Sequence, residues 1–246
     1  MAHYFASDFH LGLDRPVPSK EREKIIIQWL DSIAHDVDAL YILGDLFDYW
    51  FEYKCVVPKG HIRTLAKIAE LTDAGIPVHL YTGNHDMWMF GYLEDEIGVT
   101  LHKKYQVVEI DNKRFFLGHG DGLGPGDTGY KILKKIFSNK INQWLYERIH
   151  PNLGIKMMRY SSQKSRESDP ETLSFLGPEN EWLIQYAERK IETMDIDYFI
   201  FGHRHLPIDH TLSNQKSRYI NTGDWITHYT YAKYKEGNLT LLKLDR

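Results

Sequence analysis

Short apolar runs alternate with amphipathic helical segments along most of the chain, and this alternation constrains the fold more than any other feature of the sequence. The runs are the start of "YFASDFHLG" (4–12), "ALYIL" (39–43), "VHLY" (78–81), "FFL" (115–117) and "DYFIF" (197–201). Between them, "SKEREKIIIQWLDSI" places Ile26, Trp29, Leu30 and Ile33 on one helical face, with Ser19 as the expected cap. "GHIRTLAKIAELTDAG" carries an Ile62, Leu65, Ala69 stripe that stops near Gly75, with Pro77 just beyond. Strands alternating with helices predict βαβ units and hence an α/β class with a partly parallel sheet. Past residue 100 the pattern changes: "YQVVEIDNKRFFL" reads as a hairpin turning at Asp111-Asn112, and the residues from "RYINTGDW" onward read as further antiparallel strands.

Each apolar run ends in the same kind of residue. Asp8 and His10 follow the first, Asp45 and Asp48 ("GDLFD") the second, and Asn84, His85 and Asp86 ("GNHD") the third; His119 ("GHGD") follows the fourth, and His203 and His205 ("GHRH") the fifth. The carboxyl ends of strands in an open α/β sheet converge on one crevice, where ligands bind. Asp, His and Asn donors without Cys suit hard or borderline divalent cations, Mn²⁺, Fe²⁺ or Zn²⁺, and seven of them are too many for one tetrahedral zinc. Two metals sharing a bridging carboxylate fit the count.

The ordered set D-x-H, G-D-x-x-D, G-N-H-D, G-H-G-D and G-H-x-H resembles the calcineurin-like metallophosphoesterase superfamily, and it spans the chain from Asp8 to His205. The resemblance implies a four-layered α-β-β-α sandwich with two mixed sheets. It also implies one metal on Asp8, His10, Asp45 and His205, and a second on Asp45, Asn84, His119 and His203, with Asp45 bridging. Two such cations would lower the pKa of a water toward neutrality and bind phosphoryl oxygens. His85 would protonate the leaving oxygen or stabilise the transition state, and Asp86 and Asp48 would orient the imidazoles.

Composition decides what else the chain can touch. The net charge of −4 hides a tract from Tyr130 to Arg166 with nine Lys/Arg against Glu147 alone, so the remainder carries −12. In "GYKILKKIFSNKINQWLYERI" the residues Leu133, Phe137, Ile141, Trp144 and Leu145 share one helical face, with lysines elsewhere. Such a helix, just after His119, is expected to belong to an inserted basic, amphipathic cap over 124–168 within a single domain spanning 1–246, and it would also suit an anionic membrane surface. The single cysteine, Cys55, forms no internal disulfide and is read as packing, and Met1 leads straight into a strand without the segments of a secretory signal. A cytoplasmic location, peripheral on the inner membrane, is the expectation.

Within the superfamily, "HGDGLGPGDTGY" followed by the basic insertion and "MMRYSSQKSRE" resembles the UDP-2,3-diacylglucosamine diphosphatases of bacterial lipid A synthesis, Mn²⁺ enzymes that release UMP and leave the diacylated sugar 1-phosphate. The resemblance implies a lipid-linked nucleotide diphosphate as substrate, with Tyr130, Arg159 and Ser162 as substrate contacts. This chain has His85 where that family commonly carries Arg, and "GHRHLP" where it commonly reads "GHTHRP". A divergent phosphodiesterase or nuclease, whose basic tract would bind a polynucleotide backbone, is the alternative. A non-catalytic protein-binding scaffold is a third reading, disfavoured because all seven ligands and His85 are present.

Overall fold

The apolar runs become strands of two stacked sheets. A computed structural model describes residues 1–125, 128–168 and 174–245; Gly126 and Asp127 of the expected insertion lie outside the described residues. In the first sheet β1 (Ala2–Ala6), β2 (Val37–Leu43), β3 (Val78–Tyr81) and β4 (Thr100–His102) run parallel. β10 (Thr230–Lys235) pairs antiparallel to β1 and β11 (Asn238–Lys243) to β10, which gives the order β11-β10-β1-β2-β3-β4. The second sheet has the order β5-β6-β7-β9-β8, formed by β5 (Gln106–Ile110), β6 (Lys113–Leu117), β7 (Tyr198–Phe201), β8 (Pro207–Thr211) and β9 (Arg218–Thr222). Both sheets are mixed. The β5–β6 hairpin turns at Asp111 and Asn112, both at left-handed φ (50° and 61°), as a two-residue turn of the twist-matching type requires.

Period-2 alternation sorts each strand's side chains between two cores. Phe5, Tyr41, Leu43 and Tyr81 of the first sheet meet Phe115, Leu117, Ile200 and Ile220 of the second. The opposite face of the first sheet, with Tyr4, Leu40, Ile42 and Leu80, packs on Ile26, Trp29 and Leu30 of α1 (Ser19–Ile33) and on Ile68 and Leu71 of α2 (Ile62–Asp73). Phe116, Phe199 and Phe201 pack on Leu183, Ile184 and Ala187 of α7 (Trp182–Ile191). The result is the expected α-β-β-α sandwich, with α3 (Tyr92–Ile97) leading into β4.

Four local expectations are corrected. Ser19 does not cap α1: its hydroxyl accepts from Gly12 N at 2.7 Å and its own N–H donates to Asp14 Oδ1, so it fastens the 10–18 loop to the helix. Ile62 is 76% exposed because it opens α2, and the buried face is Thr64, Ile68 and Leu71 with the Lys67 stem. Cys55 is exposed rather than packed. The long basic helix is broken into α4 (Thr128–Ser138) and α5 (Lys140–Glu147) at Asn139, whose extended backbone (ψ 123°) and side-chain oxygen, accepting from Ile141 N, start a new helix. Phe137 therefore points into an aromatic cluster with Trp88 and Tyr146, while Ile141 and Trp144 stay exposed. With α6 (Pro151–Ser168), these helices form an insertion between β6 and α7.

Candidate active site

Five strands of the two sheets deliver their ends to one place. The turn after β1 carries Asp8 and His10, that after β2 Asp45 and Asp48, and that after β3 Asn84, His85 and Asp86; His119 follows β6, and His203 and His205 follow β7. Asp8, His10, Asp45, His203 and His205 all sit at left-handed φ, between 44° and 68°. Such backbone is costly for residues with a Cβ and gathers where a site dictates the turn. Close approach explains the glycines. A Cβ on Gly44 would lie 2.6 Å from His119 Nδ1, and one on Gly83 would strike the Asp45 carboxylate.

The donors converge as two groups that share Asp45. In the first, His10 Nε2 lies 3.2 Å from His205 Nε2, 3.7 Å from Asp8 Oδ1 and 3.6 Å from Asp45 Oδ2. In the second, Asn84 Oδ1 lies 3.0 Å from both His119 Nε2 and His203 Nδ1, and His119 Nε2 lies 3.3 Å from the same Asp45 Oδ2. These separations match the edges of coordination polyhedra whose corners stand about 2.0–2.2 Å from a divalent ion.

The chemistry of the donors fits cations as well as the distances do. His119 Nδ1 faces the Leu43 carbonyl at 2.9 Å and donates to it, which turns Nε2 toward the two oxygens. Asp8 Oδ1 is fully buried without a hydrogen-bond donor, 3.2 Å from His205 Nε2. Burial alone would raise the carboxyls of Asp8 and Asp45 and lower the imidazole of His119. The mutual attraction reverses all three: both acids are held far below the usual carboxylate range, chiefly by His205 and His119 respectively, and His119 is pushed up to about 10 by Asp45. His203, buried and beside His119, is pushed down to about 4.

Around the donors, Asp48 Oδ1 is 3.3 Å from His10 Nδ1, and the Asp48 carbonyl accepts from His85 Nδ1 at 3.1 Å. The His85 ring stands edge-on to His10, centroids 4.8 Å apart. Asp86 differs from expectation: its carboxylate accepts from the backbone N–H groups of Gly83 and Phe47, so it holds the two turns together rather than an imidazole. Burial and the neighbouring Asp45 push it up to about 7. The residues named on α4 and α6 also reach this end of the sandwich. Tyr130 lies 6.4 Å from His203, ring to ring, with its hydroxyl on Asp121; Arg159 Nη2 is 3.8 Å from where a Gly12 Cβ would be; and Ser162 Oγ is 3.3 Å from His85 Nδ1.

The calcineurin-like phosphoesterase family model matches residues 3–207, a span that contains every one of these donors. The chain belongs to that family. Phosphoesterases of this family use divalent metals, and the Asp and His donors gathered here could hold them. The phosphoesterase is 38% identical over 255 residues to a UDP-2,3-diacylglucosamine hydrolase of Porphyromonas gingivalis, covering 98% of this chain and 97% of the relative. It is 30% identical to the UDP-2,3-diacylglucosamine hydrolase of Aeromonas salmonicida, covering 92% and 86%. Among solved structures it resembles the E. coli phosphoesterase Yfce, with a TM-score of 0.51 at 16% identity over 99% of this chain and 93% of that one, a likeness of fold.

Two acids of the phosphoesterase's site escaped the sequence reading. Asp224 Oδ2 lies 3.5 Å from His205 Nδ1, while its Oδ1 accepts from Thr227 N and His228 N. Asp121, buried, receives Lys134 Nζ and the Tyr130 hydroxyl. Both were visible as signals: Gly223-Asp224 repeats, after β9, the strand-Gly-Asp pattern of Gly44-Asp45, and Asp121 closes the "GHGD" motif.

Proposed function

We propose that this chain hydrolyses the diphosphate of UDP-2,3-diacylglucosamine, releasing UMP and the diacylated sugar 1-phosphate. The observation that carries the substrate is the end-to-end likeness to relatives of that name, 38% identical across 98% of this chain. In this reading Asp8, His10, Asp45 and His205 hold one divalent cation and Asp45, Asn84, His119 and His203 the other, Mn²⁺ first among the candidates. When bound, such cations neutralise phosphoryl oxygens and bring the pKa of water near neutrality. Asp45 is the shared ligand, Asp48 and Asp224 orient His10 and His205, and Gly83 keeps the backbone close enough for both groups to use one carboxylate.

His85 supplies the proton to the leaving oxygen. Its Nδ1–H is engaged by the Asp48 carbonyl, which leaves Nε2 as the atom that exchanges a proton with substrate. Helices α4–α6 serve as a cap in this reading, with Tyr130, Arg159 and Ser162 as substrate contacts. Their exposed Ile132, Ile136, Ile141, Trp144 and Leu153 stand among the lysines of the basic tract, a surface suited to the lipid end of the substrate and to the anionic inner membrane. No helix among the described residues is long and apolar enough to cross a membrane, so contact would be peripheral.

The test is Mn²⁺-supported turnover of UDP-2,3-diacylglucosamine beside bis(4-nitrophenyl) phosphate and single-stranded DNA. Stoichiometric UMP release, with kcat/KM far above that for the aryl diester, is the expected result. Cleavage of DNA without UMP release would replace this reading with the nuclease.

A further inference from the structure

His85 is tied to all three inserted helices. From α6, Ser162 Oγ approaches its Nδ1 directly at 3.3 Å. From α5, the Tyr146 hydroxyl meets that of Tyr49 at 2.9 Å, and Tyr49 follows Asp48, whose carbonyl holds the same Nδ1 at 3.1 Å. From α4, the Phe137 carbonyl accepts from Trp88 Nε1 at 2.9 Å, and Trp88 lies three residues beyond His85 on the same turn. The packing at this joint is close: a Cβ on Gly154 of α6 would come within 2.8 Å of both the Tyr146 and Tyr53 hydroxyls. Tyr49, Phe51 and Trp88 form a buried aromatic cluster onto which Phe137, Tyr146, Ile155 and Met158 of the insertion pack.

We infer that Ser162 is a positioning residue for His85, and that docking of α4–α6 sets the orientation of the proton donor besides covering the substrate. The inference rests on the role of His85 proposed above. An imidazole ring turns about two side-chain torsions, and acceptors fixed on two different elements around the one Nδ1–H restrict where Nε2 points. The Asp48 carbonyl accepts that hydrogen from the sandwich at 3.1 Å, and the Ser162 hydroxyl oxygen shares it from the insertion at 3.3 Å as the longer arm of a bifurcated bond. A serine that only gripped substrate would change binding; one that orients a proton donor changes turnover most where the departing group most needs a proton.

The experiment compares kcat on two small diesters that do not fill the space under the helices: bis(4-nitrophenyl) phosphate, whose leaving group departs unprotonated, and diphenyl phosphate, whose leaving group needs the proton. His85→Ala, as reference, loses far more on diphenyl phosphate. Ser162→Ala should lower kcat on diphenyl phosphate about three- to tenfold more than on the nitrophenyl ester, the scale of one lost hydrogen bond, with unchanged KM and metal content. Ser162→Thr, which keeps the hydroxyl, should restore the wild-type ratio. Equal losses on both esters in Ser162→Ala, or a change in KM alone, while His85→Ala still discriminates, would overturn the inference. If His85→Ala itself fails to discriminate, the role of His85 is what fails.

Discussion

Asp224 Oδ2 stands 3.5 Å from His205 Nδ1, on the side of the ring away from Asp8. The carboxylate comes from the turn after β9, so a neighbouring strand of the second sheet fixes which nitrogen of His205 faces the pocket. Partners of this kind set the tautomer and basicity of a ligating imidazole. Asp224→Ala should weaken metal binding about 10–100-fold, and Asp224→Asn, which keeps an acceptor, by less. Chelator-competition titration measures this directly; an unchanged affinity in Asp224→Ala would sink the orienting role.

Asp45 offers a single oxygen to both donor groups, 3.6 Å from His10 Nε2 and 3.3 Å from His119 Nε2. Its removal takes a corner from each. Asp45→Ala should therefore lose most of both metal equivalents and nearly all activity together. Elemental analysis after gel filtration is the check, and retention of one full equivalent would show that the two groups do not share it.

The break at Asn139 changes what the apolar residues of the insertion can do. Phe137 packs against Trp88, ring centroids 5.3 Å apart, so Phe137→Ser should lower the melting temperature and impair every substrate alike. Ile141 and Trp144 are 68% and 53% exposed, so their substitution by Ser should leave the melting temperature in place. It should raise KM for the diacylated UDP-sugar, by more than about tenfold if two acyl methylenes lose burial at about 0.8 kcal/mol each. Calorimetry and paired kinetics separate the cases; equal KM for both enzymes on the lipid substrate would remove these two residues from its binding surface.

Much of this was legible beforehand because the relevant signals are local. Apolar runs ending in Ser-Asp, Gly-Asp, Gly-Asn-His-Asp or Gly-His need no long-range knowledge to be read as strand ends, and all five proved to be so. What stayed hidden depended on neighbours distant in sequence. Asp86 bonds Phe47 N, 39 residues away, and no local pattern distinguishes that from an imidazole partner. Asn139 looked like one more polar residue on a helix face, since capping is decided by the backbone it adopts. Ile62 satisfied the helical period but fell in the first turn of α2, ahead of the sheet that would have covered it.

A separate prediction concerns the face of the first sheet that is turned toward the second, where His79 Nδ1 meets His102 Nε2 at 3.1 Å and His79 stacks on Tyr41. Burial holds His3, His79 and His102 below their ordinary value of 6.5. The folded chain thus binds fewer protons there than the unfolded one, and stability is lost as pH falls through 6.5 and on toward the lower folded values. His79→Phe keeps the stacking and removes one of these imidazoles, so its denaturation midpoint should fall less steeply than the wild type's between about pH 7 and pH 5. Parallel slopes in urea titrations would contradict the assignment.

His10 and His205 face each other across 195 residues of sequence. A chain emerging from the ribosome therefore presents Asp8 and His10 long before their partner exists, and neither donor group can close until β7 has been synthesised and paired. If the two donor groups hold cations as proposed, folding of both sheets has to precede loading, and a bound ion would then act as a clasp between the first strand and the last third of the chain. Since a ligand that binds only the folded form stabilises it by mass action, a divalent cation bound there would hold the finished fold together as well as serve its chemistry.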